Sequence, residues 1–146
     1  DNSYMDRCPN RPALNPGTLE LLQDLRPHYR MHIITNGFLE TQSLKLKASG
    51  IRHFFDVVLT SEQAGANKPS VRIFRHALRS AGAKVRESLM IGDNARADIE
   101  GARLSGIDQA HYAPFGPAEP QATFHFTHFD ELRDILLGDA EEASGG

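Results

Sequence analysis

From Gly17 to Leu137 the chain alternates short apolar runs with stretches in which apolar residues recur every three or four positions, and that alternation predicts its elements. After Pro16 and Gly17, Leu19, Leu21, Leu22 and Leu25 fall at helical spacing, and MHIITN then reads as a buried strand. The unit repeats. LETQSLKLKASG is predicted as a helix ending at Gly50, FFDVVLT as a strand, SVRIFRHALRSAG as a helix ending at Gly82, and ESLMIGD as a strand. ADIEGARLSG then reads as helix, DQAHYAP and TFHFT as strands, and FDELRDILL as a closing helix. APFGPAEPQA is the one long loop, and DAEEASGG reads as a frayed tail. No internal repeat is visible.

Short strands that are apolar throughout, separated by amphipathic helices, imply a parallel sheet covered on both faces. The expected fold class is therefore α/β, a doubly wound parallel sheet. Composition fits one domain: 146 residues with 40% apolar content should bury roughly 70% of the unfolded chain's surface. A net charge of -3 offers no basic face for a nucleic-acid backbone, so no nucleic-acid partner is expected. No apolar run approaches the ~20 residues of a membrane span, and DNSYMD lacks the basic and apolar regions of a signal peptide. The expectation is a soluble, cytoplasmic chain with no membrane partner. Cys8 is the single cysteine, with no partner at metal-ligand or nucleophile-base spacing, and reads as an incidental thiol.

Ligands of doubly wound folds gather at the carboxyl ends of the strands, so chemistry is sought just past each strand. The first strand ends in Thr35, Asn36 and Gly37, the second in Thr60, Ser61 and Glu62, and the third in Gly92, Asp93 and Asn94, with Asp98 one helical turn on. Lys68 and Pro69 precede a helix in the loop after the second strand. Singly, each has a plain reading. Asn36 and Gly37 suit a turn, Lys68 suits a solvated loop, and Asp93 and Asp98 suit the first turn of a helix, where acids complement the macrodipole. Together they supply a hydroxyl with backbone amides, a lysine and two carboxylates. A phosphate dianion needs donors and a fixed cation, and Mg²⁺ needs carboxylate oxygens.

IITNG, the KPSVRIF segment and IGDNARADIEGARLSGI resemble, in order and spacing, the second, third and fourth motifs of the haloacid dehalogenase superfamily of phosphohydrolases. The resemblance runs from about Pro16 to Leu137 and is nearest to the pyrimidine 5′-nucleotidase branch. It implies a Rossmann-type core in which Thr35 binds phosphate beside the amides of Asn36 and Gly37. It further implies that Lys68 neutralises the phosphoryl oxygens and the nucleophile, and that Asp93 and Asp98 hold Mg²⁺, Asp98 through water or by orienting the site. Thr35 and Lys68 are the candidate catalytic residues, and the implied substrate is a small phosphorylated metabolite.

The family's first motif, Asp-x-Asp-x-Thr at the end of a leading apolar strand, has no counterpart here, because Asp1 and Asp6 follow no strand. The sequence thus reads as a core lacking its nucleophile strand and its cap. Residues 1–15 would be a cap remnant or linker, 16–138 the partial core and 139–146 a flexible tail. That missing strand would be the central one, so exposed sheet edges are expected to invite association. The 146 residues alone should be inactive and hold Mg²⁺ weakly. Two functions are carried forward: a phosphatase acting on a nucleoside monophosphate, and a non-catalytic phosphate- or metal-binding module. A plain dinucleotide-binding domain is disfavoured, since no strand is followed by G-x-G-x-x-G.

Overall fold

A computed structural model describes residues 17–37, 44 and 46–145, with side chains to residue 138. The expected cap remnant and Cys8 lie outside the described residues, as does much of the helix expected before Gly50, of which residues 46–49 are helical.

Helix α1, Thr18–Leu25, buries Thr18, Leu21, Leu22 and Leu25 on one face and leads to strand β1, Met31–Thr35. Strand β2, Phe55–Thr60, runs directly into a four-residue helix α2, Ser61–Ala64. For α2, apolar spacing predicts only loop. Its cause is local: the Thr60 hydroxyl accepts from the Gln63 amide while the Gln63 side chain reaches back to the Thr60 amide, and Gly65 closes the turn at φ 68°. Helix α3, Val71–Ala81, follows the apolar spacing that predicts it, starting on the Ser70 cap and stopping at Gly82 in a left-handed conformation.

Strand β3, Leu89–Gly92, is followed by helix α4, which is π-wound over Ala95–Glu100 and α-helical over Gly101–Leu104. Strands β4, Asp108–Tyr112, and β5, Phe124–Phe126, complete the sheet residues, and α5 spans Phe129–Gly145. The stretch expected to be a frayed tail thus continues a helix, as its alanine and glutamate content favours.

Every strand pairing is parallel, as the apolar strands predict, but the strands form two sheets rather than one: β1 with β2, and β3 with β4 and β5. Helices cover both faces. Ile33 packs with Leu22 of α1, whereas the next residue, Ile34, packs against the cluster of α3 containing Ile73 and Phe74. In β3 the alternation repeats: Leu89 and Ile91 pack toward α1 and α5, and Met90 toward α3. Among the described residues no helix is long and apolar enough to cross a membrane.

Candidate phosphate site

The carboxyl ends of β1 and β3 are joined by a chain of polar contacts that begins at Thr35. Its hydroxyl is fully buried and accepts from the Gly37 amide at 3.1 Å, which folds the turn back over the strand end. Asn36 points the other way. Its side-chain oxygen accepts from the Lys68 amide at 2.8 Å, its side-chain nitrogen donates to the Lys68 carbonyl at 3.3 Å, and its own carbonyl accepts from the Ser61 hydroxyl at 3.0 Å. Asn36 therefore clamps the backbone that carries Lys68, a role no sequence spacing reveals, because the two residues lie 32 positions apart.

Lys68 is not a solvated loop lysine. It is 3% exposed, and its ammonium lies 2.6 Å from Oδ1 of Asp98, both side chains being sealed from water. The other oxygen of Asp98 accepts from the Asn94 amide at 3.2 Å. Asn94 returns the favour as the cap of α4, its side-chain oxygen accepting from the amides of Arg96 and Ala97. A capping acid normally reaches back from three residues beyond the cap; here the π-wound first turn lets a residue four beyond do so, turning Asp98 inward. Close packing demands glycine at the strand end, since a methyl on Gly92 would overlap the Asp98 carboxylate. Burial raises the pKa of Asp98, the nearby Asp93 carboxylate adds to the rise, and the Lys68 ammonium and the Asn94 amide oppose it.

Asp93 sits between these groups and His111, which the sequence reading did not single out. The Glu119 amide donates to Nδ1 of His111 at 2.9 Å, so Nδ1 is an acceptor and the ring hydrogen rests on Nε2. Nε2 in turn donates to the Asp93 carbonyl at 3.2 Å, fixing the loop on which Asp93 projects. The place of His111 near the carboxyl end of β4, beside Gly92 of β3, was the available signal. The structure thus brings Asn36, Lys68, Asp98 and Asn94 into one bonded chain, with Thr35, Gly37 and Asp93 at its two ends. Among the described residues, no group of three acidic, histidine or cysteine side chains is placed to hold a metal ion. Asp93 supplies carboxylate oxygens of the hard type Mg²⁺ prefers, one of them buried, whereas both oxygens of Asp98 are engaged by Lys68 and Asn94, so the residues fit part of a magnesium shell with Asp98 placed to orient it.

A parallel α/β core with lysine, hydroxyl and paired acids at its strand ends defines a phosphohydrolase-like architecture, and comparison with known proteins agrees. Residues 3–111 match the haloacid dehalogenase-like hydrolases, and the chain belongs to that family. It is 41% identical over 125 residues to the pyrimidine 5′-nucleotidase YjjG of Escherichia coli, covering 83% of this chain and 56% of that protein. It is 44% identical over 93 residues to a glyceraldehyde 3-phosphate phosphatase of Methanothermobacter thermautotrophicus, covering 63% of this chain and 41% of that one. Among solved structures, the magnesium-bound HAD-hydrolase YfnB of Bacillus subtilis superposes with a TM-score of 0.82 at 29% identity, covering 91% of this chain and 59% of its own. The chain spans about half the length of the curated relatives it matches.

Proposed function

We propose that these residues form the phosphate-holding part of a Mg²⁺-dependent phosphohydrolase that cleaves a small phosphate monoester, a nucleoside monophosphate, through an aspartyl-phosphate. The observation that carries this reading is Lys68: a buried ammonium at the junction of three strand ends costs several kcal/mol to desolvate, and a solvated surface would be the cheaper place for it. In this reading Thr35 donates its hydroxyl to a phosphoryl oxygen, and the Lys68 ammonium offsets charge on that oxygen and on a nucleophilic carboxylate lying outside these 146 residues. Asp93 would ligate the metal and Asp98 would bind it through water or orient the site; when bound, the metal neutralises phosphate charge beside the two acids. Asn36 and His111 act one step back, holding the Lys68 and Asp93 backbones. The nucleotide preference is supported by the extent of similarity: the identity to the pyrimidine 5′-nucleotidase spans 83% of the chain, against 63% for the triose phosphatase.

Two measurements test the reading. The 146-residue chain should hydrolyse p-nitrophenyl phosphate no faster than buffer with Mg²⁺, and metal-dependent turnover abolished by Asp93→Asn would show that no outside nucleophile is needed. In the product of the full reading frame around these residues, Lys68→Ala should lower kcat on uridine or thymidine monophosphate by at least ~100-fold. Near-normal rates would remove Lys68 from the chemistry.

A further inference from the structure

Between Glu62 and Glu87 the chain holds no acid, while five of its sixteen lysines and arginines, Arg72, Arg75, Arg79, Lys84 and Arg86, fall there and are exposed. A net charge of -3 therefore conceals one local excess of positive charge. At about 100° per residue, Arg72, Arg75 and Arg79 project from α3 within roughly 60° of one another, opposite the buried Ile73, Phe74 and Ala77. Lys84 and Arg86 follow just beyond the stop at Gly82.

Folding gives no reason for this arrangement. Like charges three or four positions apart on a helix repel, and Arg72 with Arg75 and Arg75 with Arg79 are such pairs. Arg72 also stands in the first turn of α3, the positive end of the macrodipole, where an acid would stabilise and none is present. Arg79, in the last turn, is the one arginine of the three that the dipole favours. Among the described residues no carboxylate pairs with any of the five cations.

We propose that the outer face of α3 docks an acidic helical segment of another protein, whose carboxylates meet Arg72, Arg75 and Arg79. Along the axis the arginines are spaced by roughly 4.5 and 6 Å, the rise of three and four residues, so a second helix with acids at i, i+4 and i+7 matches them in antiparallel register. Each guanidinium offers a fork of N–H donors that grips a carboxylate through two bonds. Val85, 41% exposed between Lys84 and Arg86, adds an apolar contact at the end of the stripe. The stripe is short, and that selects against longer polyanions. Exposed Glu62, on the helix α2 that touches α3, and exposed Glu87 bound it, and the rest of the chain carries an excess of acid. A nucleic-acid strand or an anionic bilayer would bring its further charges against like charge. The proposal uses none of the strand-end residues and stands apart from the phosphohydrolase reading.

The test uses the product of the full reading frame around these residues and a fluorescein-labelled, alanine-based helical peptide with capped ends and glutamates at i, i+4, i+7 and i+11. Saturable 1:1 binding with Kd below about 200 µM is expected at low salt, weakening at least ~10-fold in about 0.5 M NaCl. Arg72→Glu separates docking from folding. It should weaken binding at least tenfold yet raise the melting temperature of the free protein, because it removes repulsion and complements the macrodipole. Arg75→Glu should weaken binding equally and recover when the facing glutamate of the peptide is changed to lysine. Arg30→Glu, the same change in net charge placed just before β1, should leave affinity unaltered. No saturable binding, affinity unchanged by Arg72→Glu, a fall in its melting temperature, no rescue of Arg75→Glu, or an equal loss in Arg30→Glu would overturn the proposal. So would tighter binding of a single-stranded RNA or of phosphatidylserine vesicles, or a dimer in sedimentation that Arg72→Glu dissolves.

Discussion

In β2 the residues Val58, Leu59 and Thr60 are all buried, whereas in β1, one strand nearer the site, only Ile33 and Thr35 are. The other half repeats the contrast: β4 buries Gln109, Ala110 and His111, and β3 buries only Gly92. Composition explains little of this, because LMIG is more apolar than DQAHY, and MHIIT, with three apolar residues of five, is close to FDVVLT, with four of six. In a doubly wound sheet the central strands are ordinarily the driest. Here β1 and β3 are the wetter pair, because among the described residues each pairs on one side alone. The half-burial is a property of the gap between the two sheets.

What ties the halves together at the site is the Lys68–Asp98 pair, since Asn36 fixes Lys68 to the β1 side and Asp98 belongs to the helix after β3. Removing one partner leaves a buried charge, so Lys68→Met should lower unfolding free energy by about 3–5 kcal/mol in urea titrations. The double variant Lys68→Met with Asp98→Leu should recover at least half of that, because no unpaired charge is left behind. A pH series sharpens the point. The folded-state pKa of Asp98 is already raised by burial, and losing the ammonium raises it further. The folded state of Lys68→Met then binds a proton more tightly than the unfolded chain, so its stability is greatest below the ordinary aspartate value and falls as pH climbs through the raised one. A single variant that loses less than about 1 kcal/mol, with no such slope, would show that the pair does not join the halves.

The contrast in burial predicts a contrast in mutational cost. Leu59→Ala in β2 removes a fully packed side chain and should cost about 2–5 kcal/mol, whereas Ile91→Ala, half-buried in β3, should cost about 1 kcal/mol or less. Equal costs would show that burial does not set the difference between the two strands.

Much of this was legible in the sequence, and what escaped did so for physical reasons. The order of strands and the bounds of α3 follow from apolar spacing, the Ser70 cap and Gly82. Thr35, Asn36, Lys68, Asp93 and Asp98 were singled out because strand ends in an α/β fold share one edge, and the structure brings them to that edge. Helix α2 was missed although Thr60, Gln63 and Gly65 carry its caps, because four residues hold too little periodicity to stand out. The burial of Lys68 could not be read, since lysine defaults to the surface and its partner lies 30 residues away. The clamp by Asn36 and the support of Asp93 by His111 are likewise tertiary, made between positions 32 and 18 apart. The inward turn of Asp98 depends on π winding that helical periodicity, tuned to 3.6 residues, does not anticipate.

The smallest effect is expected at the start of α5. One carboxylate oxygen of Glu131 accepts from the Thr127 amide at 2.6 Å, the Thr127 hydroxyl at 3.1 Å and the His128 amide at 3.0 Å, tying the end of β5 to the helix that covers that half. These bonds, that from the Thr127 amide first, hold the Glu131 pKa below the ordinary glutamate value. A carboxyl depressed in the folded state adds stability above its unfolded pKa and loses it as pH falls through the folded one. Glu131→Gln should therefore lower the melting temperature slightly near neutral pH and flatten the acid limb of the curve, with the two proteins converging at the acid end. Full solvent exposure keeps the effect below that of the Lys68 and Leu59 changes. Because the bonds serve β5 and α5 rather than β1 or β3, Glu131→Gln should leave the pH slope of Lys68→Met unchanged, and a changed slope would show that the two regions are coupled.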